Sequence, residues 1–296
     1  MTGPPAWVEP PLEPSGPAGR GSKLFGQRAF LVSTASTVVF FGVVFLIVVL
    51  SPGFDAVRRS FFDLDAMRAS FFGVPSEGLP PIWRGFLLNV EVFLVAEVLI
   101  LILALALAVI RQIPGPVFFP FRLVAIVYTD LFRGTPLLLV ILMFGFGIPA
   151  LAIRGLPRSV LFWGAAALVL SYSAYVAEVF RAGIESVHGS QTAAARALGL
   201  SRWQALRFIV LPQAVRRVIP PLLNDFVSLQ KDTALLAVLG TIEAVRSAEI
   251  YTNYRFNYSP YVITAFLFIL LTIPLARFTD HLIERDRRRR SAGFAR

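Results

Sequence analysis

Apolar residues in this chain come in long runs, not in the alternating or one-in-three-or-four patterns of a soluble fold. A helix rises 1.5 Å per residue, so about 20 apolar residues cross the hydrocarbon of a bilayer. Residues 29–50 meet that length. Five further segments do so with polar interruptions: 85–110, 119–146, 160–187, 208–239 and 258–278. The pattern predicts an all-α polytopic membrane protein with about six transmembrane helices. Residues 1–22 are rich in Pro and Gly and hold almost no apolar periodicity, which predicts a disordered tail. The run at 29–50 is too long for a signal-peptide core and no A-x-A-like site follows it, so it reads as a retained span.

Charge orients these spans. Only 16% of the 296 residues are charged and 56% are hydrophobic, where soluble domains are about a quarter charged. The excess of 28 Lys and Arg over 18 Asp and Glu sits in clusters that flank apolar runs. That placement argues against a nucleic-acid partner, which would call for one basic stripe. Arg20, Lys23 and Arg28 precede the first span, and Arg111 and Arg122 follow the second. Arg196, Arg202, Arg207, Arg216 and Arg217 precede or open the fifth, and Arg285 and Arg287 to Arg290 end the chain. Six spans put all four clusters on one side, and basic flanks mark the cytoplasm. The loop 51–84 balances Arg58, Arg59, Arg68 and Arg84 against Asp55, Asp63, Asp65 and Glu77, so it falls outside the cell and both termini inside. With no Cys and two His, the chain predicts no metal site and no thiol chemistry.

Residues 187–222 form a basic, amphipathic stretch between apolar runs. Gly189 is expected to break the fourth span, and Gln191 to Leu198 to form a short Ala-rich helix. Gly199 suits a left-handed position after that helix. Ser201 and Gln204 have capping-box spacing, which starts a second helix with an apolar face at Trp203, Leu206, Phe208, Ile209 and Val210. Pro212 should bend the chain, and Pro220 and Pro221 should break or kink it again. An ordinary interfacial loop would also fit these features.

This stretch resembles the EAA loop of permease subunits of ATP-binding-cassette importers, through Ala197-Leu198-Gly199 and Leu211-Pro212. Three further segments are similar to the polar amino-acid branch, the histidine/glutamine permease class. They are YTDLFRGTP ending at Pro136, AYVAEVFRAGI ending at Ile184, and Lys231-Asp232-Thr233. Together the four cover about residues 79–283, in family order. The resemblance implies a five-helix permease core at 85–283, preceded by an extra N-terminal span at 29–50 and followed by a basic cytoplasmic tail at 284–296. It implies a coupling loop at 188–212 that carries Gln191, Ala193, Ala194, Ala195, Arg196, Gly199, Leu200, Ser201 and Pro212. It implies a separate ATPase dimer holding ATP and Mg, a second permease copy or a paralogue, an extracytoplasmic solute-binding protein, and a bacterial inner membrane. The chain departs from the family where Ala193 stands in place of the Glu of EAA, and Asp130 in place of the Glu before the RGTP element.

Ionisable residues at membrane depth are costly and suggest function. Asp130 and Arg133 are three apart, as are Glu178 and Arg181, so each pair can meet on one helix face. Glu178 with Arg181 reads as a structural ion pair. Gly134 and Pro136 loosen the chain beside Thr135. A zwitterionic amino acid needs both a cation and an anion, so Asp130, Arg133, Thr135, Asn224, Lys231 and Asp232 are the candidate substrate path. Glu91 and Glu97 receive no role. No G-x-x-x-x-G-K-[ST] occurs, so ATP hydrolysis is expected on another chain, and no cofactor is expected on this one. The competing reading is an ion-gradient-driven secondary transporter or channel using the buried carboxylates. Such transporters commonly show internal repeats, and none is visible here.

Overall fold

The computed structural model describes residues 27–113, 115–187 and 189–293. Contacts divide the chain into one unit up to Val57 and another from Arg58 onward. The first unit holds α1 (Gln27–Val49), whose stretch Phe30–Val49 is long and apolar enough to cross a membrane and buries none of its residues. α2 (Phe54–Phe61) follows. The predicted tail at 1–22 lies outside the described residues.

The second unit continues with α3 (Leu64–Phe72), whose first turn is capped by Asp63 Oδ1, which accepts from the Asp65 and Ala66 N–H groups at 3.0 and 3.1 Å. Next come α4 (Ile82–Gln112), α5 (Phe119–Gly134) and α6 (Leu137–Leu142), then a π turn (Met143–Gly147) and α7 (Ile148–Ala150). α8 (Val160–Glu185) leads into α9 (Gly189–Ala197) and α10 (Arg202–Ala205). A second π turn (Leu206–Val210) precedes α11 (Leu211–Asp232), and a 3-10 helix (Thr233–Leu239) follows it. α12 (Ala244–Arg255) and α13 (Ser259–Gly293) complete the unit.

Predicted spans 85–110, 160–187 and 258–278 become α4, α8 and α13. The span predicted at 119–146 is broken instead: α5 and the α6–α7 stretch bend by 106°. Pro136 disfavours helical backbone at the residue before it, and Thr135 is extended at φ −103°, ψ 132°. The span predicted at 208–239 is a composite of π turn, α11 and 3-10 helix. α11 carries Arg216, Arg217, Asp225, Lys231 and Asp232, and it is not among the helices apolar enough to cross alone. Four described helices meet that test, or five if the bent pair is one span. Pro220 and Pro221 do not break α11 as expected; both sit inside a continuous helix. Helical backbone also runs through the predicted basic tail as far as Gly293, as Arg is a good helix former.

The main core joins α4, α5, α6, α8 and α11. On α4, Phe93, Ala96, Ile100 and Ala104 recur every three to four residues and make the buried stripe. α8 meets it with small residues, Ala167 and Ala177, both fully buried. Small residues let membrane helices approach closely where no hydrophobic force between them exists. Gly85 takes this to its limit: a Cβ there would sit 2.4 Å from the Glu243 carbonyl carbon. One turn further, buried Asn89 accepts from Ala244 N–H at 3.2 Å and donates to Thr233 Oγ1 at 3.3 Å. The N-terminal half of α4 is thereby fixed against the turn that starts α12.

Candidate functional site

The shelf at 189–212 forms from local rules. α9 ends in a Schellman motif, with Leu200 N–H bonded to Ala195 C=O at 3.1 Å and Gly199 N–H to Arg196 C=O at 3.0 Å. Gly199 has φ +84°, where a side chain would be strained. The capping box is reciprocal: Ser201 N–H donates to Gln204 Oε1 at 2.8 Å, and Gln204 N–H donates to Ser201 Oγ at 3.2 Å. Gln213 donates to Gln191 Oε1 at 3.1 Å, which fastens α9 to α11. Ala195 faces inward, while Ala193, Ala194, Arg196, Gly199, Ser201 and Pro212 are exposed and Leu200 is half-buried. Leu198 is 82% exposed at the tip. Gly189 opens α9, and the break falls earlier, after Glu185. The shelf is thus a helix–turn–helix closed by its own backbone and side-chain hydrogen bonds, with small residues, Leu198 and Arg196 outward.

A cavity of about 230 Å³ lies between α6, α8 and α11. Ser171, Tyr172 and Tyr175 of α8 face Asp225, Ser228 and Asp232 of α11 across it. Asp225 and Asp232 are seven apart, two helical turns, and so share one face of α11. The Tyr172 hydroxyl donates to Asp232 Oδ2 at 2.7 Å. Asp225 Oδ2 and Ser171 Oγ are buried and make no hydrogen bond to the described residues. Buried polar atoms normally find partners, so both can receive a ligand's groups. Among the described residues the walls offer two carboxylates and several hydroxyls and no Lys or Arg, while the Arg133 guanidinium lies 6.0 Å from the centre of the Tyr175 ring.

Of the residues predicted for the substrate path, only Asp232 reaches this cavity. Asp130, Asn224 and Lys231 are exposed on the unit. Thr135 Oγ1 donates back to Leu131 C=O at 2.8 Å. Arg133 does not pair with Asp130 as expected but lies 3.8 Å from Glu178. Its backbone C=O accepts from the Tyr175 hydroxyl at 3.2 Å, which ties it to the cavity wall. Glu178 is bound to Arg181 as expected and to Arg111 of α4 at 2.9 Å. Sequence reasoning missed the tyrosines, because the place of Tyr172 and Tyr175 on the cavity wall depends on α11 packing opposite them. Asp225 lies in the segment 208–239 read as a span, but nothing in the sequence pairs it with Asp232 on one cavity.

Outside the spans, Glu243 caps α12, accepting from Arg246 N–H at 2.7 Å and Val245 N–H at 3.0 Å. Burial raises its carboxyl above the ordinary range despite these donors. Among the described residues no group of three or more His, Asp or Glu is arranged to hold a metal ion.

Residues 117–288 match the family described as binding-protein-dependent transport system inner membrane component. The putative glutamine transport system permease protein GlnP of Rickettsia conorii is 35% identical over 203 residues, which cover 68% of this chain and 90% of that protein. The arginine transport system permease protein ArtQ of Bacillus subtilis is 32% identical over 209 residues, 70% of this chain and 92% of its own. Among solved structures, an amino acid ABC transporter crystallised with histidines superimposes with a TM-score of 0.62 at 30% identity, over 69% of this chain and 93% of that one. The MetNI methionine ABC transporter shares the fold, with a TM-score of 0.55 at 15% identity over 73% of this chain and 99% of its own.

Proposed function

Because the chain belongs to the family of binding-protein-dependent transport system inner membrane components, we propose that it is the permease subunit of an ATP-driven importer for a polar amino acid. The cavity between α8 and α11 carries this reading. Two carboxylates without a cation among the lining residues favour a cationic amino acid, whose ammonium and side-chain charges Asp225 and Asp232 would neutralise. The hydroxyls of Ser171, Ser228 and Tyr175 are the donors on hand for its carboxylate.

ATP and Mg belong to a separate ATPase dimer docked under the shelf. Closure of that dimer pushes on α9, and the Schellman turn at Gly199 transmits the push as a rigid lever into α11, which bears the cavity carboxylates. The cavity then opens alternately to the two sides. An extracytoplasmic binding protein delivers the substrate, and a second permease copy or a paralogue completes the pore about a two-fold axis. The membrane is the bacterial inner membrane, with both termini cytoplasmic.

The test is uptake in proteoliposomes holding the chain, its ATPase and its binding protein, with ion gradients collapsed. Labelled arginine, lysine, histidine and glutamine are compared. ATP-dependent uptake of the cationic substrates that falls in Asp225→Asn and Asp232→Asn supports the reading. Unchanged uptake of arginine, lysine and histidine in those variants would remove the charge argument, and uptake by the chain alone on a restored ion gradient would replace the importer with a secondary transporter.

A further inference from the structure

A second, larger cavity of about 570 Å³ lies away from the carboxylates, where the last turns of α4 meet the end of α8 and the π turn before α11. Its walls are apolar, with Leu105 and Val109 on α4, Ile184 on α8 and Leu211 at the start of α11. Among the described residues, Gln112 and Arg207 are the polar side chains that reach it, beside the indole of Trp203. A polar amino acid finds too few partners here, and the surroundings are those of hydrocarbon. Leu105 and Val109 are each about half exposed along α4, so the cavity opens sideways from the helix bundle and not toward the substrate cavity.

The rim carries the chemistry of a bilayer interface. Trp203 is 66% exposed at the mouth, and Trp side chains prefer headgroup depth. Arg207 is exposed, and among the described residues it has no carboxylate partner. Its guanidinium instead lies 5.8 Å from the centre of the Phe208 ring. An apolar slot with one unpaired cation at its mouth matches an amphiphile with one anionic end.

We propose that this cavity holds an acyl chain of an anionic phospholipid, with the phosphate on Arg207. An adjoining cavity of about 510 Å³ shares the walls at Gln112, Ile184 and Val210 and reaches Thr192 and Arg196 on α9. The lipid therefore wedges between the span ends and the shelf, and its presence stiffens the path from α9 into the membrane.

Trp203 is a built-in reporter. The full chain is placed in vesicles of phosphatidylcholine and phosphatidylglycerol, with one lipid at a time brominated on its acyl chains. Quenching due to Trp203 is the difference between the wild type and Trp203→Phe. Brominated phosphatidylglycerol is expected to quench at about fivefold lower membrane fraction than brominated phosphatidylcholine, the factor that one basic side chain at the surface contributes. Arg207→Gln is expected to equalise the two lipids and Arg207→Lys to keep the preference. Equal quenching by both lipids in the wild type means ordinary boundary lipid and overturns the proposal, as does a preference that survives Arg207→Gln. No quenching by either lipid means that protein, a second copy of this chain, covers the cavity, and overturns it too. The assay needs no transport, so it stands or falls apart from the importer reading.

Discussion

Arg111, in the last turn of α4, meets Glu178 of α8 at 2.9 Å, and the two side chains are only 16% and 20% exposed. Glu178 also holds Arg181 and lies 3.8 Å from Arg133 of α5. One carboxylate therefore ties three helices at the level where α8 leads into the shelf. Removing one partner of a buried pair leaves the other charge uncompensated, at a cost of about 3–5 kcal/mol. Glu178→Gln takes the anion from Arg111 and Arg133 while Arg181 keeps Glu185, so its cost is expected at about 3 kcal/mol, discounted for partial exposure. Thermal unfolding in detergent measures it. Pairing Glu178→Gln with Arg111→Gln should be much less than additive; full additivity would mean that the contact carries no energy.

Gly199 holds φ +84° at the turn between α9 and α10. A Val there opposes the left-handed backbone by about 1–2 kcal/mol or more. In an assembled transporter, Gly199→Val is expected to keep ATP hydrolysis and lose most uptake, because the lever and not the motor is changed. Full uptake at normal hydrolysis would show that the turn does not transmit force.

The Tyr172 hydroxyl orients Asp232 by donating at 2.7 Å. Tyr172→Phe removes that donor and keeps the ring. A net hydrogen bond of about 1 kcal/mol corresponds to about a fivefold rise in the KM for uptake. An unchanged KM for arginine, lysine and histidine would detach the cavity from substrate recognition.

The backbone of Glu243 occupies the space beside Gly85, so Gly85→Ala forces α4 away from the α12 turn. Overpacking of this kind costs about 1–3 kcal/mol. It also strains the Asn89 hydrogen bond to Ala244. A drop in thermal midpoint is expected, and no change would mean that the two backbones separate freely.

Burial raises the Glu243 carboxyl above its ordinary value of 4.5. The folded state then binds the proton more tightly than the unfolded state. Its stabilising contribution is complete below the ordinary value and is lost as pH rises through the folded one. Comparing midpoints of the wild type and Glu243→Gln from about pH 4 to about pH 8 isolates this contribution. The wild-type curve should fall relative to the variant, and parallel curves would refute the shift.

The sequence by itself determined the features that depend on neighbours along the chain. The apolar runs set α1, α4, α8 and α13, because a helix in lipid satisfies its own backbone and needs only length and composition. The glycine turn and the Ser201–Gln204 box were legible for the same reason: each is closed by residues within six positions. The family resemblance was legible because its motifs are local strings. Only the tertiary structure decided the rest. It bent the chain at Thr135, kept α11 helical through Pro220 and Pro221, and moved Arg133 from Asp130 to Glu178. It also built the cavity from Tyr172 and Asp232, which lie 60 positions apart. Charges at membrane depth announce that they must be paired or used, but the choice of partner is made by which helices pack together, and helical periodicity does not contain that choice.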